Sequence, residues 1–161
     1  MSKLIPCQGG QVVAVVSDTH GSLPPKALSL LRQVDLIIHA GDIDTSEVLE
    51  TLRAMGSVIA VRGNMDGGHW TKGLSPTEVV PIEDVLIYVI HNVERLDVDP
   101  LAAGFDIVIS GHTHRPLIEQ KQGILFLNPG SLGWPREGRC PALALICVKG
   151  RTITSRIVEL S

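Results

Sequence analysis

The sequence predicts an α/β fold in which two β-sheets pack face to face with helices outside. Three observations carry that prediction. Short apolar runs rich in Val and Ile recur along the chain; the first half alternates them with helix-like segments; the second half breaks them at turn residues, as hairpins do. With 161 residues, 44% of them hydrophobic, the chain can bury one substantial core. No linker, repeat or low-complexity segment interrupts it, so a single domain over 1–161 is expected. Aromatic residues make up only 3%, which leaves Val, Ile, Leu and Ala to fill the interior.

The elements follow in order. VVAVVS (12–17) is β-branched and unbroken, as a strand buried on both faces should be. PPKALSLLRQ (24–33) opens on prolines and spaces Leu28 and Leu31 as one face of a helix. DLIIHA (35–40) is a second buried strand. A helix over about 45–55 takes Thr45 or Asp44 as its N-cap and stops at Gly56. SVIAV (57–61) is a third strand, and this strand–helix alternation implies a parallel sheet with right-handed crossovers. GGHWTKGLSP (67–76) reads as an exposed, mobile loop. TEVVPIEDVLIYVIH (77–91) turns at Glu83-Asp84, a short helix lies near 98–103, and FDIVIS (105–110) is another buried strand. Two hairpins complete the chain, over 115–128 with a turn at Lys121-Gln122-Gly123, and over 141–160 with a turn at Lys149-Gly150-Arg151.

Composition narrows the function. The net charge is −3 and no basic stripe is visible, so nothing recruits a long nucleic acid. No apolar run approaches the roughly 18 residues of a membrane span. The stretch MSKLIPCQGGQ lacks a signal-peptide core, and a cytoplasmic protein is expected. Cys7, Cys140 and Cys147 match no zinc or redox spacing, and their odd number predicts unpaired thiols.

The chemistry lies where the apolar runs end. Asp18 and His20 follow the first, Asp42 the second, and Asn64 and Asp66 the third; His91 follows the YVI run, and His112 and His114 the VIS run. In an open α/β sheet the carboxyl ends of parallel strands share one edge, where ligands bind. Glycines at 41, 63 and 111 directly precede ligand positions, as close approach of backbone to an ion requires. Asp, Asn and His donors without thiolate suit Mn²⁺, Ni²⁺, Fe, Co²⁺ or Zn²⁺. Seven donors exceed what one catalytic ion needs and fit two, with Asp42 presenting one oxygen to each.

These blocks resemble the metallophosphoesterase (calcineurin-like phosphoesterase) superfamily, and within it the small bacterial and archaeal phosphodiesterases. The matching residues are Asp18-Thr19-His20-Gly21, Gly41-Asp42, Gly63-Asn64-Met65-Asp66, His91, Gly111-His112-Thr113-His114 and Asn128-Pro129-Gly130-Ser131, spread over about 11–160. The resemblance implies a four-layer α/β/β/α sandwich of two mixed sheets with flanking helices. It implies one ion held by Asp18, His20, Asp42 and His114, and another held by Asp42, Asn64, His91 and His112; it does not fix the metal, and Mn²⁺ is the first expectation among those named. It also implies in-line attack of a bridging hydroxide on phosphorus, with Asp42, Asn64 and His91 acting through metal and phosphate positioning. The substrate would be a small phosphate ester.

Two positions depart from the family pattern. Met65 stands where many larger members carry His, and it cannot donate a proton. His91 precedes Asn92 where small members have Gly. Behind the ligands, His39 is a candidate to orient a carboxylate. Asp66 would fix a metal-binding His or cap the following turn. Asn128-Pro129-Gly130-Ser131 would make a turn that supports the metal loops. Arg115 and Arg136 are candidates for phosphate contact, and His69 and Trp70 for a lid. A homodimer through an apolar hairpin surface is compatible with the pattern. The competing reading is a non-catalytic scaffold on the same fold, like the retromer subunit that resembles these enzymes; it should have lost metal ligands, whereas all seven positions here are chemically competent.

Overall fold

A computed structural model describes residues 4–161. Two five-stranded mixed sheets face each other with few helices outside. The first sheet runs β10-β9-β1-β2-β3: β1 (Gln11–Val16), β2 (Leu36–His39) and β3 (Val58–Ala60) are parallel, and β9 (Ala142–Lys149) and β10 (Thr152–Glu159) are antiparallel neighbours. The second runs β4-β5-β6-β8-β7: β5 (Val85–Ile90), β6 (Ile107–Ile109) and β8 (Ile124–Asn128) are parallel, and β4 (Thr77–Ile82) and β7 (Leu117–Lys121) pair antiparallel at the edges. The predicted hairpin turns at 83–84, 121–123 and 149–151 are where these strands reverse.

Period-2 alternation sorts the residues of each strand into layers. Val13 and Val15 of β1, Ile38 of β2 and Ala144 and Ile146 of β9 point inward, against Ile87, Val89, Ile107, Ile109 and Leu127 of the second sheet. Their neighbours Ala14, Val16, Ile37, Leu143 and Leu145 point outward, where Leu31 of helix α1 (Pro25–Leu31) and Leu49 and Leu52 of α2 (Ser46–Met55) cover them. Tyr88, Val108 and Phe105 cover the other outer face, beside the short helix α3 (Pro100–Ala103). Runs buried on both faces explain the unbroken apolar strands of the sequence. Among the described residues no helix is long and apolar enough to cross a membrane.

Of the two N-cap candidates for α2, Thr45 takes the position, without a side-chain cap bond. Two expectations change. The 67–76 segment is not wholly exposed: a 3₁₀ turn (His69–Thr71) buries Thr71, Leu74 is buried, and Trp70 packs on the outer core, so Trp70 is no lid. Cys7 and Cys147 form a disulfide, not free thiols. The register of β1 on β9 sets Val12 opposite Cys147, which brings Cys7 alongside with its Cα 5.5 Å away. A pair separated by 140 residues is invisible to motif spacing. Reduction should lower stability by about 2–5 kcal/mol through the freed unfolded chain. Thermal melts with and without dithiothreitol should differ in the parent and coincide in Cys7→Ser.

Candidate metal centre

The carboxyl ends of β1, β2, β3, β5 and β6 meet along one edge of the sandwich, and the donors predicted there converge as two groups. Asp18, His20 and His114 form one; Asp42, His91 and His112 form the other; in each, the ligand atoms lie within 4.8 Å of one another. Asp42 stands between the groups. Its Oδ2 is 3.3 Å from His91 Nε2 and 3.8 Å from His20 Nε2, while Oδ1 accepts the Met65 N–H at 2.8 Å. A single oxygen of Asp42, Oδ2, thus faces both groups, while the Met65 N–H holds the other. Asn64 is exposed beside the second group, with its Oδ1 3.1 Å from His112 Nδ1.

Hydrogen bonds at the far side of three rings set which nitrogen faces inward. The Nδ1–H of His91 donates to Ala40 O at 2.7 Å, that of His114 to Trp134 O at 2.7 Å, and that of His20 to Asp44 Oδ2 at 3.0 Å. Each ring thus turns an Nε2 lone pair toward the site. His114 Nε2 lies 3.2 Å from Asp18 Oδ1 and 3.3 Å from His20 Nε2. The other oxygen of Asp18 accepts Ser17 Oγ–H at 2.6 Å and the His112 N–H at 3.0 Å. Asp18 Oδ1 and His91 Nε2 are buried with no hydrogen-bond partner. Lone pairs crowded together without a donor repel unless a proton or cation joins them. Burial opposes charge on both Asp42 and His91, yet their contact and the Met65 N–H prevail. The Asp42 carboxyl is held below its ordinary range and the His91 ring is raised above its own. This donor set fits divalent transition ions.

The loops that carry these donors are strained and braced. Asp18, His20, Asp42, Asp44, His112 and His114 all have φ between 45° and 72°, a left-handed conformation costing roughly 1–2 kcal/mol per residue. Asp66 holds one such loop: its carboxylate accepts the N–H groups of Asp42, Ile43, Asp44 and Gly63 at 2.8–3.0 Å. It touches no metal-binding His, contrary to one of the two roles expected of it. Gly63 lies so close to Asp42 that a Cβ there would overlap the Asp42 carboxylate and amide. Asn128 donates to Gly111 O and Thr113 Oγ1, and Ser131 Oγ donates to Asp18 O, so this turn braces the Asp18 and His112 loops.

His39 reaches no carboxylate. The Gly41 N–H donates to its Nδ1 at 3.1 Å, so the ring proton sits on Nε2, 3.0 Å from Thr19 Oγ1. Complete burial, with the nearby His91, lowers its pKa from 6.5 to about 3. The unfolded chain therefore binds a proton near pH 6.5 that the folded chain refuses until about pH 3. Stability should fall as pH drops through that window, by about 1.4 kcal/mol per unit. Urea midpoints of metal-free protein at pH 7, 5 and 4 should show this slope, and His39→Gln should flatten it. An unchanged slope in the variant would refute the assignment.

Arg115 pairs with Glu137 on the surface, whereas Arg136 lines the cleft beside the first group. Two residues escaped the sequence reading. Asp44, taken as a helix cap, orients His20; its place two residues beyond Asp42 was the available signal. Trp134 pins His114 through its carbonyl while its ring stays 63% exposed in the same cleft; no motif marks it.

The chain is similar to known proteins in sequence and fold. The model of the calcineurin-like phosphoesterase superfamily domain matches residues 12–151. A probable metallophosphoesterase of Methanocaldococcus jannaschii is 38% identical over 151 residues, covering 86% of this chain and 75% of that protein. An archaeal phosphodiesterase structure superposes with a TM-score of 0.76 at 25% identity, over 91% of this chain and 99% of the other. Vacuolar protein sorting 29 from Cryptosporidium parvum superposes with a TM-score of 0.77 at 22% identity, over 94% and 98%, a likeness of fold alone.

Proposed function

Because the chain belongs to the calcineurin-like phosphoesterase superfamily, we propose that it hydrolyses a small phosphodiester with two divalent metal ions, Mn²⁺ being the ion expected. The reading rests on one observation. Asp18 Oδ1, Asp42 Oδ2 and the Nε2 atoms of His20, His91 and His114 converge while the far nitrogens of those rings are already engaged. Asp18, His20, Asp42 and His114 would hold one ion, and Asp42, Asn64, His91 and His112 the other. Such a pair would supply Lewis-acid polarisation of the phosphoryl group and a nucleophile drawn from water at neutral pH. The protein's part is positional. Asp44, Ala40 O and Trp134 O lock the ring orientations, and Asp66 and Gly63 set Asp42. Met65, 60% exposed in the cleft, has no proton to give, so esters with good leaving groups should react fastest.

The test is hydrolysis of bis(p-nitrophenyl) phosphate. Turnover should require added Mn²⁺ or a similar ion and vanish with EDTA. The second reading is a non-catalytic scaffold on the fold shared with vacuolar protein sorting 29. No EDTA-sensitive turnover with any transition metal would favour it and count against the hydrolase proposal.

A further inference from the structure

Two recesses meet at the candidate metal centre. One, of ≈ 380 Å³, is lined by His20, Asp42, Met65, Trp134 and Arg136. The other, of ≈ 780 Å³, is lined by His91, Tyr88, Arg62, Arg95 and Asp97. Asn64 and His112 line both, so the centre forms a saddle between them. A phosphorus atom held on that saddle can send one substituent into each recess. A diester fills both; a monoester leaves one empty.

The recesses differ in chemistry. In the smaller, the exposed Trp134 ring and Met65 offer an apolar surface to a planar group. The larger carries two exposed guanidinium groups against one carboxylate, Asp97, in a chain whose net charge is −3. Among the described residues, neither Arg62 nor Arg95 forms an ion pair or a side-chain hydrogen bond, whereas Arg115, Arg139 and Arg151 all pair with carboxylates. Backbone geometry holds both in place. Arg62 N–H donates to Ser75 O at 2.9 Å, next to Gly63, which is packed on Asp42. Arg95 ends a 3₁₀ turn (Val93–Arg95) that Asn92 caps by accepting the Glu94 N–H at 3.0 Å. The Asn that replaces the family's Gly after His91 thus builds the turn that brings Arg95 to the recess.

We propose that the larger recess binds a second phosphate carried on one arm of the diester, with Arg62 and Arg95 as specificity-determining residues. The substrate class is then a phosphodiester with a planar group on one arm and a further phosphate on the other. This rests on the diesterase reading above. Guanidinium groups suit such a phosphate because their donors match its oxygens in pairs.

The test compares two probes on Mn²⁺-loaded protein: the p-nitrophenyl ester of thymidine 5′-phosphate, and the same ester with a 3′-phosphate. The phosphorylated probe should show about ten-fold higher kcat/KM, mostly through KM. In the Arg62→Ala/Arg95→Ala double variant the ratio should fall to about one, and 0.5 M salt should shrink it in the parent. Equal values in the parent, or a preference retained by the double variant, would overturn this inference and leave the diesterase reading standing. Turnover of neither probe would overturn both.

Discussion

Asp42→Ala should lower turnover of bis(p-nitrophenyl) phosphate by about a thousand-fold or more while the protein stays folded. The size of the effect follows from the position of Oδ2, which faces both donor groups at 3.3 and 3.8 Å. Removing it takes a ligand from each proposed ion at once, and a thousand-fold corresponds to about 4 kcal/mol of transition-state stabilisation. The fold survives because the side chain's structural contribution is small. It accepts one hydrogen bond, from Met65 N–H, worth about 1 kcal/mol. The left-handed backbone at Asp42 is held by its own N–H on Asp66, which the substitution leaves in place. Metal titration should show reduced loading of both sites, with circular dichroism unchanged. Turnover near that of the parent would remove Asp42 from the centre and, with it, the proposed arrangement.

Asp66→Ala should be nearly as damaging without touching any donor. Four N–H groups lose their acceptor, three of them from the loop at 42–44. The site is partly open, so water recovers some of this, and a loss of about 3–5 kcal/mol is expected. The larger consequence is geometric. The carbonyls of Asp42 and Ile43 still accept the His20 and Gly21 N–H groups, but with the amides of residues 42–44 released, Asp42 and Asp44 at φ 58° and 72° should relax and shift both carboxylates. His20 then loses its orienting partner and the two groups lose their shared oxygen. Turnover should fall by about a hundred-fold, the scale seen when residues behind metal ligands are removed. Melting in EDTA and in Mn²⁺ separates placement from simple destabilisation: the rise in Tm caused by Mn²⁺ should shrink in the variant. Asp66→Asn should not rescue, because its amide nitrogen would face two N–H donors. A variant that is merely less stable, with the full Mn²⁺ shift, would contradict the assigned role.

Met65 and Asn92 show how a departure from a family pattern becomes informative only in three dimensions. In sequence, Met65 says that one proton donor is missing. In the structure it is also an exposed apolar wall beside Trp134, and its N–H anchors Asp42. Asn92 reads as the loss of a permissive Gly; in the structure it caps the turn that carries Arg95.

The chain by itself determined the strands, the hairpin turns and the points where donors leave the sheet. These are local properties. Period-2 burial, β-branched runs and turn chemistry are written within six to eight consecutive residues, and Asp18, Asp42, Asn64, His91 and His112 sit next to such runs. Packing decided the rest, because each remaining feature depends on atoms brought together across the sheets. The Nδ1 of His91 is fixed by Ala40 O, 51 residues away, and Asp66 reaches back 22 to 24 residues to the loop it braces. The Cys7–Cys147 bond waits on the register of β1 against β9. The choice of one Asp42 oxygen, the role of Asp44 and the saddle between two recesses likewise arise only when strand ends from separate parts of the chain share one edge.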